Sequence, residues 1–241
     1  MTQVEVKTRI PYTVEIGHGL LTSAGERVRA VCGGETAAVV SDDTVFSLYG
    51  AALCTQLEGA GYRVVPFVFP HGEASKNLST YAELVNFLAE KRLTRTDVLV
   101  ALGGGVTGDL GGFAAATYLR GIRYVQVPTT LLAAVDSSVG GKTAVDLPAG
   151  KNLAGCFHQP SIVLCDLDTL GTLPEQTFRD GCAEVIKYGM IDNAEFLRQL
   201  SETPAREQLE HVVTTCVRMK RDVVSEDEFD RGRRQLLNFG H

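Results

Sequence analysis

One stretch of the chain, residues 97–130, limits the fold more than any other. It begins with an apolar run, residues 98–102, of the length and branching typical of a buried parallel strand. A glycine-rich segment follows, then a segment of helical character that ends near Arg120, and a second short strand at residues 124–127. Strand, glycine turn, helix and strand make a βαβ unit. We therefore expect an α/β domain built on a parallel sheet.

The glycine turn is of the kind that binds phosphates. Gly103, Gly105 and Gly108 fit the pattern G-x-G-x-x-G, in which the backbone can approach a ligand and the next helix offers N–H groups to anionic oxygens. The dinucleotide fingerprint of dehydrogenases also has an acidic residue about 20 positions later, after the next strand. Residues 128–130 supply no acid there. We interpret the segment as a diphosphate-binding turn that differs from that of ordinary dehydrogenases; the alternative is a merely tight strand-to-helix turn.

The rest of the first 170 residues repeats the alternation of strands and helices. The pattern predicts an edge hairpin at 4–6 and 12–16, strands at 37–40, 63–70 and 161–165, and helices at 20–31, 45–58 and 78–91. This order predicts a parallel sheet with helices on both faces and ligands at the carboxyl ends of the strands. Asp42 and Asp43 follow one strand directly. There an acid either holds an adenosine ribose or caps the next helix, and the local pattern leaves both open.

Charged residues next stand in apolar, glycine-rich surroundings. Asp136 lies between apolar stretches, Lys142 follows two glycines, and Lys151 lies in a second glycine-flanked turn. Such charges need partners, because an unpaired buried charge is costly. An internal salt bridge would supply one, and a phosphate or carboxylate ligand would supply another. We favour the ligand, since glycine-rich turns let it come close.

From residue 175 onward the pattern is helical, with predicted helices at 175–190, 206–224 and 226–239. We expect two domains: residues 1–170, an α/β domain, and residues 171–241, the start of an all-helical domain. Glu184 and Lys187 share one helix face, as a surface ion pair or as part of a site. His211 and Cys216 are five residues apart and do not share a face, so we do not interpret them as metal ligands.

Composition excludes several classes of function. The net charge of -6 argues against a nucleic-acid binder. No apolar run reaches the roughly 18 residues of a membrane span, and the N-terminus does not resemble a signal peptide. The six cysteines form no C-x-x-C pair, which is typical of reduced thiols in a cytoplasmic protein. We expect a cytoplasmic protein without a nucleic-acid or membrane partner.

Several motifs together resemble the 3-dehydroquinate synthase family of sugar phosphate cyclases. The matching runs are HGEASKN (71–77), LGGGVTGDLGGFAAATYLRGI (102–122), VPTTLLAAVDSSVGGKTAVD (127–146), GKNLAGCFHQP (150–160), LPEQTFRDGCAEVIKYG (173–189) and GRRQLLNFGH (232–241). The resemblance implies a lyase of the shikimate pathway that converts 3-deoxy-D-arabino-heptulosonate 7-phosphate to 3-dehydroquinate and phosphate. It also implies NAD, a divalent metal, usually zinc with cobalt as an alternative, and a tendency to form homodimers.

The family motifs assign roles residue by residue. For NAD the matching positions are Asp42, His71, Gly72, Glu73, Ala74, Ser75, Lys76, Gly105, Val106, Thr107, Gly108, Asp109, Thr129, Thr130, Lys142, Lys151, Thr169, Leu170, Gly171 and Thr172. For the substrate and catalysis they are Arg120, Asp136, Lys142, Lys151, Asn152, Lys187, Lys220, Arg234 and Asn238. Glu184 and His241 match two metal ligands. The implied cations would meet the phosphate and carboxylate of a sugar phosphate.

The family pattern continues beyond NFGH with further helices and further histidine ligands, so we expect this chain to be incomplete at its C-terminus. Three other functions fit parts of the pattern. They are a cyclase for an aminoshikimate precursor, a deoxyinosose or a valiolone; a metal-dependent polyol dehydrogenase; and an inactive nucleotide-binding or oligomerisation module.

Overall fold

A computed structural model describes residues 1–239. The strands are β1 (Thr2–Val6), β2 (Tyr12–Gly17), β3 (Thr36–Asp42), β4 (Arg63–Phe69), β5 (Val98–Gly103), β6 (Arg123–Pro128), β7 (Lys142–Leu147), β8 (Gly150–Phe157) and β9 (Ile162–Asp166). The α-helices are α1 (Ala24–Val31), α2 (Asp43–Val45), α3 (Ala51–Gly59), α4 (Leu78–Glu90), α5 (Gly105–Thr117), α6 (Glu175–Asp192), α7 (Ala194–Glu202) and α8 (Leu209–Glu226).

Within residues 1–239 the strands form a seven-stranded sheet in the order β1-β2-β9-β6-β5-β3-β4, and β7 and β8 form a separate hairpin. The strands from β2 to β4 in that order run parallel, and β1 lies antiparallel to β2 at the edge. The predicted parallel sheet and edge hairpin are confirmed. The chain passes from β3 to β4 on one side and then returns to β5 on the other. A ligand crevice is therefore expected where β3 meets β5.

Alternation along the strands divides the core between the two faces of the sheet. On β3, Ala37 and Val39 pack with α1 and α3, whereas Ala38 and Val40 pack with α4 and α5. A third cluster joins β2 and β9 to α6 and α8, with Tyr188 among its buried side chains. Helices therefore cover both faces, as the sequence pattern predicts.

Two predicted segments differ in the structure. Residues 142–157, predicted as glycine-rich turns around Lys142 and Lys151, form the antiparallel β7–β8 hairpin. This hairpin packs on α5 at Gly112, where a Cβ would overlap the Thr143 methyl group. The predicted helix at 226–239 is wrong, because α8 runs through Glu226 and only the 3-10 turn Arg233–Asn238 follows.

The six cysteines, all in the described part of the chain, are free thiols. No helix among residues 1–239 is long and apolar enough to cross a membrane.

Candidate functional site

The amino-terminal end of α5 offers hydrogen-bond donors beside the crevice. Gly104 is the N-cap residue and provides no side-chain cap, so the first N–H groups of this 13-residue helix remain available to a ligand. A Cβ at Gly104 would lie 3.0 Å from the Thr130 methyl carbon, so the turn needs glycine for close approach. The buried hydroxyls of Thr107 and Thr129 have no hydrogen-bond partner within residues 1–239. This donor set fits the diphosphate of a dinucleotide.

The loops after β3 and β4 meet at the same edge. Asp42 accepts a hydrogen bond from the Val45 backbone at 2.9 Å and so caps α2. The cap alternative is therefore confirmed for one oxygen of Asp42, and ribose binding stays a prediction. Asp43 lies 2.7 Å from Nδ1 of His71, which joins the β3 loop to the predicted cofactor loop 71–76. The His71 contact lowers the pKa of Asp43.

Further ion pairs tie loop 71–76 to the centre of the fold. Lys76 Nζ lies 2.6 Å from Asp109 Oδ2 on α5, and Lys151 Nζ lies 3.0 Å from Glu73 Oε1. The Lys151–Glu73 pair is well exposed and contributes little to stability. Burial raises the pKa of Asp109, and the charge of Lys76 offsets part of that rise.

Residues 169–172 reach the same edge from β9. They belong to the 3-10 turn Leu167–Thr172, where Thr169 donates to the Asp166 carbonyl. Tyr49, in the turn that follows α2, lies 2.6 Å from the Thr172 hydroxyl and donates to the Thr169 carbonyl. The predicted NAD residues after β3, β4, β5, β6 and β9 thus gather along one edge of the sheet. Their role in binding stays a prediction.

A cavity of about 570 Å³ adjoins this edge, within the range usual for small-molecule sites. It is lined by Asp109, Asp136, Ser137, Val139, Lys142, Thr143, Ala144, Asn152, Leu153, Gly155, Cys156, Phe157, Lys220, Arg234, Leu237 and Asn238. Six of the residues predicted to serve the substrate are among them. Asp109 belongs both to this wall and to the predicted cofactor edge, so the two sites share a boundary.

Asp136 is the centre of the charge network in the cavity. It lies in the π-helical turn Ala133–Ser137. Lys220 donates to its Oδ1 at 2.9 Å and to its carbonyl at 2.6 Å, and Tyr188 donates to Oδ1 at 2.7 Å. Lys187 Nζ lies 4.0 Å from the same oxygen. Burial alone would raise the pKa of Asp136, but the two lysines and the hydrogen bonds lower it well below its usual range.

The lysines of this network are themselves buried. Burial lowers the pKa of Lys220, and the Asp136 carboxylate restores part of it. Lys187 donates to the Leu237 carbonyl at 2.9 Å and pairs with Glu184 one turn earlier on α6. The Glu184–Lys187 pair is therefore buried, which contradicts the alternative of a surface ion pair. Lys187 thus forms internal salt bridges and also contacts Leu237, which lines the cavity.

The two predicted metal ligands are Glu184 and His241, and His241 lies outside the described residues. Within residues 1–239 no group of three or more His, Cys, Asp or Glu side chains could hold a metal ion. A catalytic zinc takes three protein ligands and a water. The described residues alone do not fit a metal, so we derive no step through one.

Arg234 is fully buried and joins three parts of the chain. It donates to the Glu228 carbonyl at 2.6 Å and to the Gly140 carbonyl at 2.9 Å, and burial lowers its pKa. The Gly140 N–H donates to the Tyr12 hydroxyl at 2.9 Å. Gly140 has φ +96°, and a Cβ there would overlap the guanidinium. The turn before Lys142 is thus held from both sides.

The remaining predicted substrate residues differ in position. Asn152 and Asn238 line the cavity, and Lys151 lies outside it, at Glu73. Arg120 is exposed at the C-terminal side of α5, three residues before β6 begins, and does not line the cavity. Since α5 returns the chain to the amino ends of the strands, Arg120 lies at the opposite edge of the sheet. Its predicted role is not supported by contacts within residues 1–239.

The sequence analysis missed two site residues. Tyr188 follows Lys187 in the run AEVIKYG and contacts Asp136. Asp230 pairs with Lys142, although 88 positions separate them. Tyr188 could have been found from its place in a specific motif. Asp230 stood in a stretch assigned to a helix, and no local signal linked it to a lysine on β7.

Comparisons with known proteins bear on the family and the fold of the chain. Family models described as 3-dehydroquinate synthase N-terminal and C-terminal match residues 66–180 and 181–241. The chain is 47% identical over 234 residues to 3-dehydroquinate synthase of Clostridium acetobutylicum, covering 95% of this chain and 66% of that protein. For the Caulobacter vibrioides enzyme the identity is 52% over 238 residues, covering 95% and 64%. The chain spans about two thirds of the length of these relatives.

Solved structures of related cyclases match the fold. One is 2-deoxy-scyllo-inosose synthase complexed with carbaglucose-6-phosphate, NAD+ and Co2+, with a TM-score of 0.90 and 30% identity, covering 100% of this chain and 67% of that chain. Another is 2-epi-5-epi-valiolone synthase from Streptomyces hygroscopicus with NAD+ and Zn2+ bound, with a TM-score of 0.87 and 29% identity, covering 100% and 68%. An iron-containing alcohol dehydrogenase, at 15% identity and a TM-score of 0.69 over 91% of this chain and 68% of that one, shares the fold alone. The resemblance expected from the motifs is confirmed, and the chain belongs to the 3-dehydroquinate synthase family.

Proposed function

We propose that the protein works as a 3-dehydroquinate synthase, a phosphate-eliminating cyclase that forms 3-dehydroquinate from 3-deoxy-D-arabino-heptulosonate 7-phosphate. The observation that carries the proposal is the shared wall at Asp109. The edge predicted to bind a dinucleotide and a cavity lined by Asp136, Lys142, Lys220 and Arg234 meet there. A reaction that oxidises and re-reduces one substrate carbon requires cofactor and substrate to be held side by side.

We propose that NAD is held by the N–H groups that begin α5, by Thr107 and Thr129, and by the loops that carry Asp42 and His71. When bound there, NAD would supply reversible hydride transfer at a substrate hydroxyl. The protein's own contribution is to orient the substrate. Placing a polyol against fixed hydrogen-bonding groups avoids the cost of burying an unpaired hydroxyl.

The charged residues of the cavity divide this work. Lys142 and Arg234 line the cavity: the half-exposed Lys142 would bind an anionic group of the substrate, and the buried Arg234 would add positive charge beside it. Lys187, Lys220 and Tyr188 keep Asp136 ionised and fix its position. An ionised, oriented carboxylate is suited to accept a hydrogen bond from a substrate hydroxyl and so to orient it, whereas its lowered pKa makes it a weak base. Asn152 and Asn238 would complete the set with neutral donors and acceptors.

Another sugar phosphate cyclase is the second candidate. It is favoured by the two structural neighbours, which act in deoxyinosose and valiolone synthesis at 29–30% identity. The identities of 47–52% to 3-dehydroquinate synthases support the first candidate over it. A zinc or cobalt ion, a homodimer and a cytoplasmic location are further parts of the proposal. The last of these is supported by the six free cysteines.

The test is turnover with NAD, zinc ion and the seven-carbon sugar phosphate. We expect phosphate release with 3-dehydroquinate identified by mass spectrometry, and no net accumulation of NADH. Lys142→Met should lower kcat/KM by about 100-fold or more, since a charge-assisted contact to an anion is lost. Lys91→Met, at an exposed lysine that is the C-cap of α4 and does not line the cavity, is the matched control. NADH accumulation without phosphate release would instead identify a dehydrogenase, and phosphate release with a different cyclic product would identify the second candidate.

A further inference from the structure

Lys142 is occupied by a carboxylate of the chain itself. Its ammonium is in direct contact with Asp230 Oδ2. The Asp230 side chain is 16% exposed, whereas that of Lys142 is 47% exposed. The other oxygen of Asp230 is buried and has no hydrogen-bond partner within residues 1–239. The Asp230 carboxylate, of which only one oxygen has a hydrogen-bond partner among residues 1–239, thus occupies Lys142, which lines the cavity.

The loop that presents Asp230 has a firmly held base. Asp227 accepts hydrogen bonds from the N–H groups of Arg231, Gly232 and Arg234 at 2.9, 2.7 and 3.1 Å. Glu228 accepts bonds from the Arg9 N–H at 3.0 Å and the Gln159 amide at 3.1 Å. These bonds fix where the loop begins and returns. They do not involve the Asp230 side chain.

The tip of the loop is held less firmly. The Phe229 ring packs edge-on against Phe157 with 5.4 Å between centroids, and both rings are more than a third exposed. Asp230 has φ +58°, a left-handed conformation that Asp adopts more readily than most residues with a side chain. An exposed aromatic contact at Phe229 and an ion pair to a half-exposed lysine hold this tip in place. The lysine of this pair is half exposed and lines the cavity, so a ligand there can reach its ammonium.

We propose that Asp230 is an internal stand-in for the substrate's anionic group. Its carboxylate occupies Lys142, and a phosphate or carboxylate of the ligand displaces it. The proposal rests on the proposed function insofar as Lys142 is taken to bind an anion. It adds a competitor inside the chain: every anion that reaches Lys142 must first release Asp230. A dianionic phosphate displaces Asp230 better than a monoanion does. The contact therefore makes Lys142 selective for dianions.

The expected effect follows from population arithmetic. If Asp230 is seated on Lys142 in about nine of ten molecules, the apparent anion affinity is about tenfold weaker than that of the open site. Removal of the Asp230 charge should recover that factor. Asp230→Asn is suited to the test, since Asn also tolerates a left-handed backbone. Asp230→Gly removes the carboxylate, also accepts a left-handed backbone, and serves as a second variant.

The experiment is calorimetric titration with inorganic phosphate at low ionic strength, without sugar phosphate. We expect phosphate to bind about tenfold more tightly to Asp230→Asn and Asp230→Gly than to the wild type. Asp222→Asn, which neutralises an exposed carboxylate paired with Arg221, should leave the affinity unchanged. Lys142→Met should abolish the gain in the Asp230→Asn background.

Unchanged or weaker phosphate binding in both Asp230 variants would overturn the proposal, since Asp230 would then only hold Lys142 in place. Failure of phosphate to bind to any form would overturn it as well. The proposed function fails by a different result. Tighter phosphate binding in the variants with no turnover of the sugar phosphate by the wild type leaves the stand-in intact and removes the synthase activity.

Discussion

Replacement of Asp136 by Asn should destabilise the fold strongly, because it leaves the buried Lys220 ammonium without its counter-charge and removes one of the two carboxylates beside Lys187. The side chains of Lys187 and Lys220 are 6% and 7% exposed. With an effective dielectric constant of about 20, ion pairs at 2.9 and 4.0 Å amount to roughly 6 and 4 kcal/mol of Coulomb attraction. Desolvation offsets much of this. Removing one partner of a buried pair typically costs about 3–5 kcal/mol.

We expect the lower part of that range, about 3 kcal/mol, because the Asp136 side chain keeps 21% of its exposure and Asn still accepts hydrogen bonds. The assay is urea unfolding at pH 7, with the slope compared between variants to confirm that the same surface is exposed. Asp222→Asn, at an exposed carboxylate, should change the free energy of unfolding by less than about 0.5 kcal/mol. A second substitution, Lys220→Met, should recover part of the loss by removing one uncompensated charge.

The pH dependence gives an independent check on Asp136. Its pKa in the folded protein is lowered, so its ionised form contributes stability above the unfolded pKa of about 3.9. That contribution is lost as the pH falls through the lower folded pKa. The difference between wild type and Asp136→Asn should therefore shrink below about pH 4. A loss smaller than about 1 kcal/mol at pH 7, or a difference that does not change with pH, would refute the account of the buried charge network.

Three further predictions concern the scaffold of the site. Asp97 accepts three backbone hydrogen bonds at the amino end of β5, which outweigh its burial and lower its pKa; Asp97→Asn should cost about 1–3 kcal/mol at pH 7, and less as the pH falls through the folded pKa. Gly112→Ala should cost about 1–3 kcal/mol by pushing α5 from the β7–β8 hairpin, whereas Gly59→Ala, with open space around it, should stay within about 1 kcal/mol of the wild type. Burial lowers the pKa of His158, so the wild type should lose stability as the pH falls from about 6.5, the unfolded pKa, and His158→Gln should lose less.

Denaturant unfolding at several pH values measures all three. A pH-independent cost for Asp97→Asn would contradict the ionised acceptor. Equal effects of Ala at the two glycines would show that the space beside Thr143 does not matter. A His158→Gln profile parallel to that of the wild type would mean that another group titrates.

Local patterns were enough for the alternating core and for the order of strands and helices. Such patterns relate residues that are two to four positions apart in the chain. The two faces of β3 and the Glu184–Lys187 pair follow from these spacings. Local patterns did not predict the hairpin at 142–157, because its glycines lower the strand propensity. Packing on α5 stabilises the paired strands instead. The helix predicted at 226–239 failed for a related reason. Acidic side chains there bond to the backbone of their own loop instead of leaving it to form helical bonds.

By itself the sequence determined the α/β class, the glycine turn between β5 and α5 and, through its motifs, the family. Only the tertiary structure decided which charges meet. Asp136 and Lys220 are 84 positions apart, and Lys142 and Asp230 are 88 apart, yet each pair is in contact. Such contacts depend on the crossing of β3 to β5 and on how α8 and the following loop return to the sheet. A pattern of neighbouring residues carries no information on that path, because the path is set by the packing of whole elements.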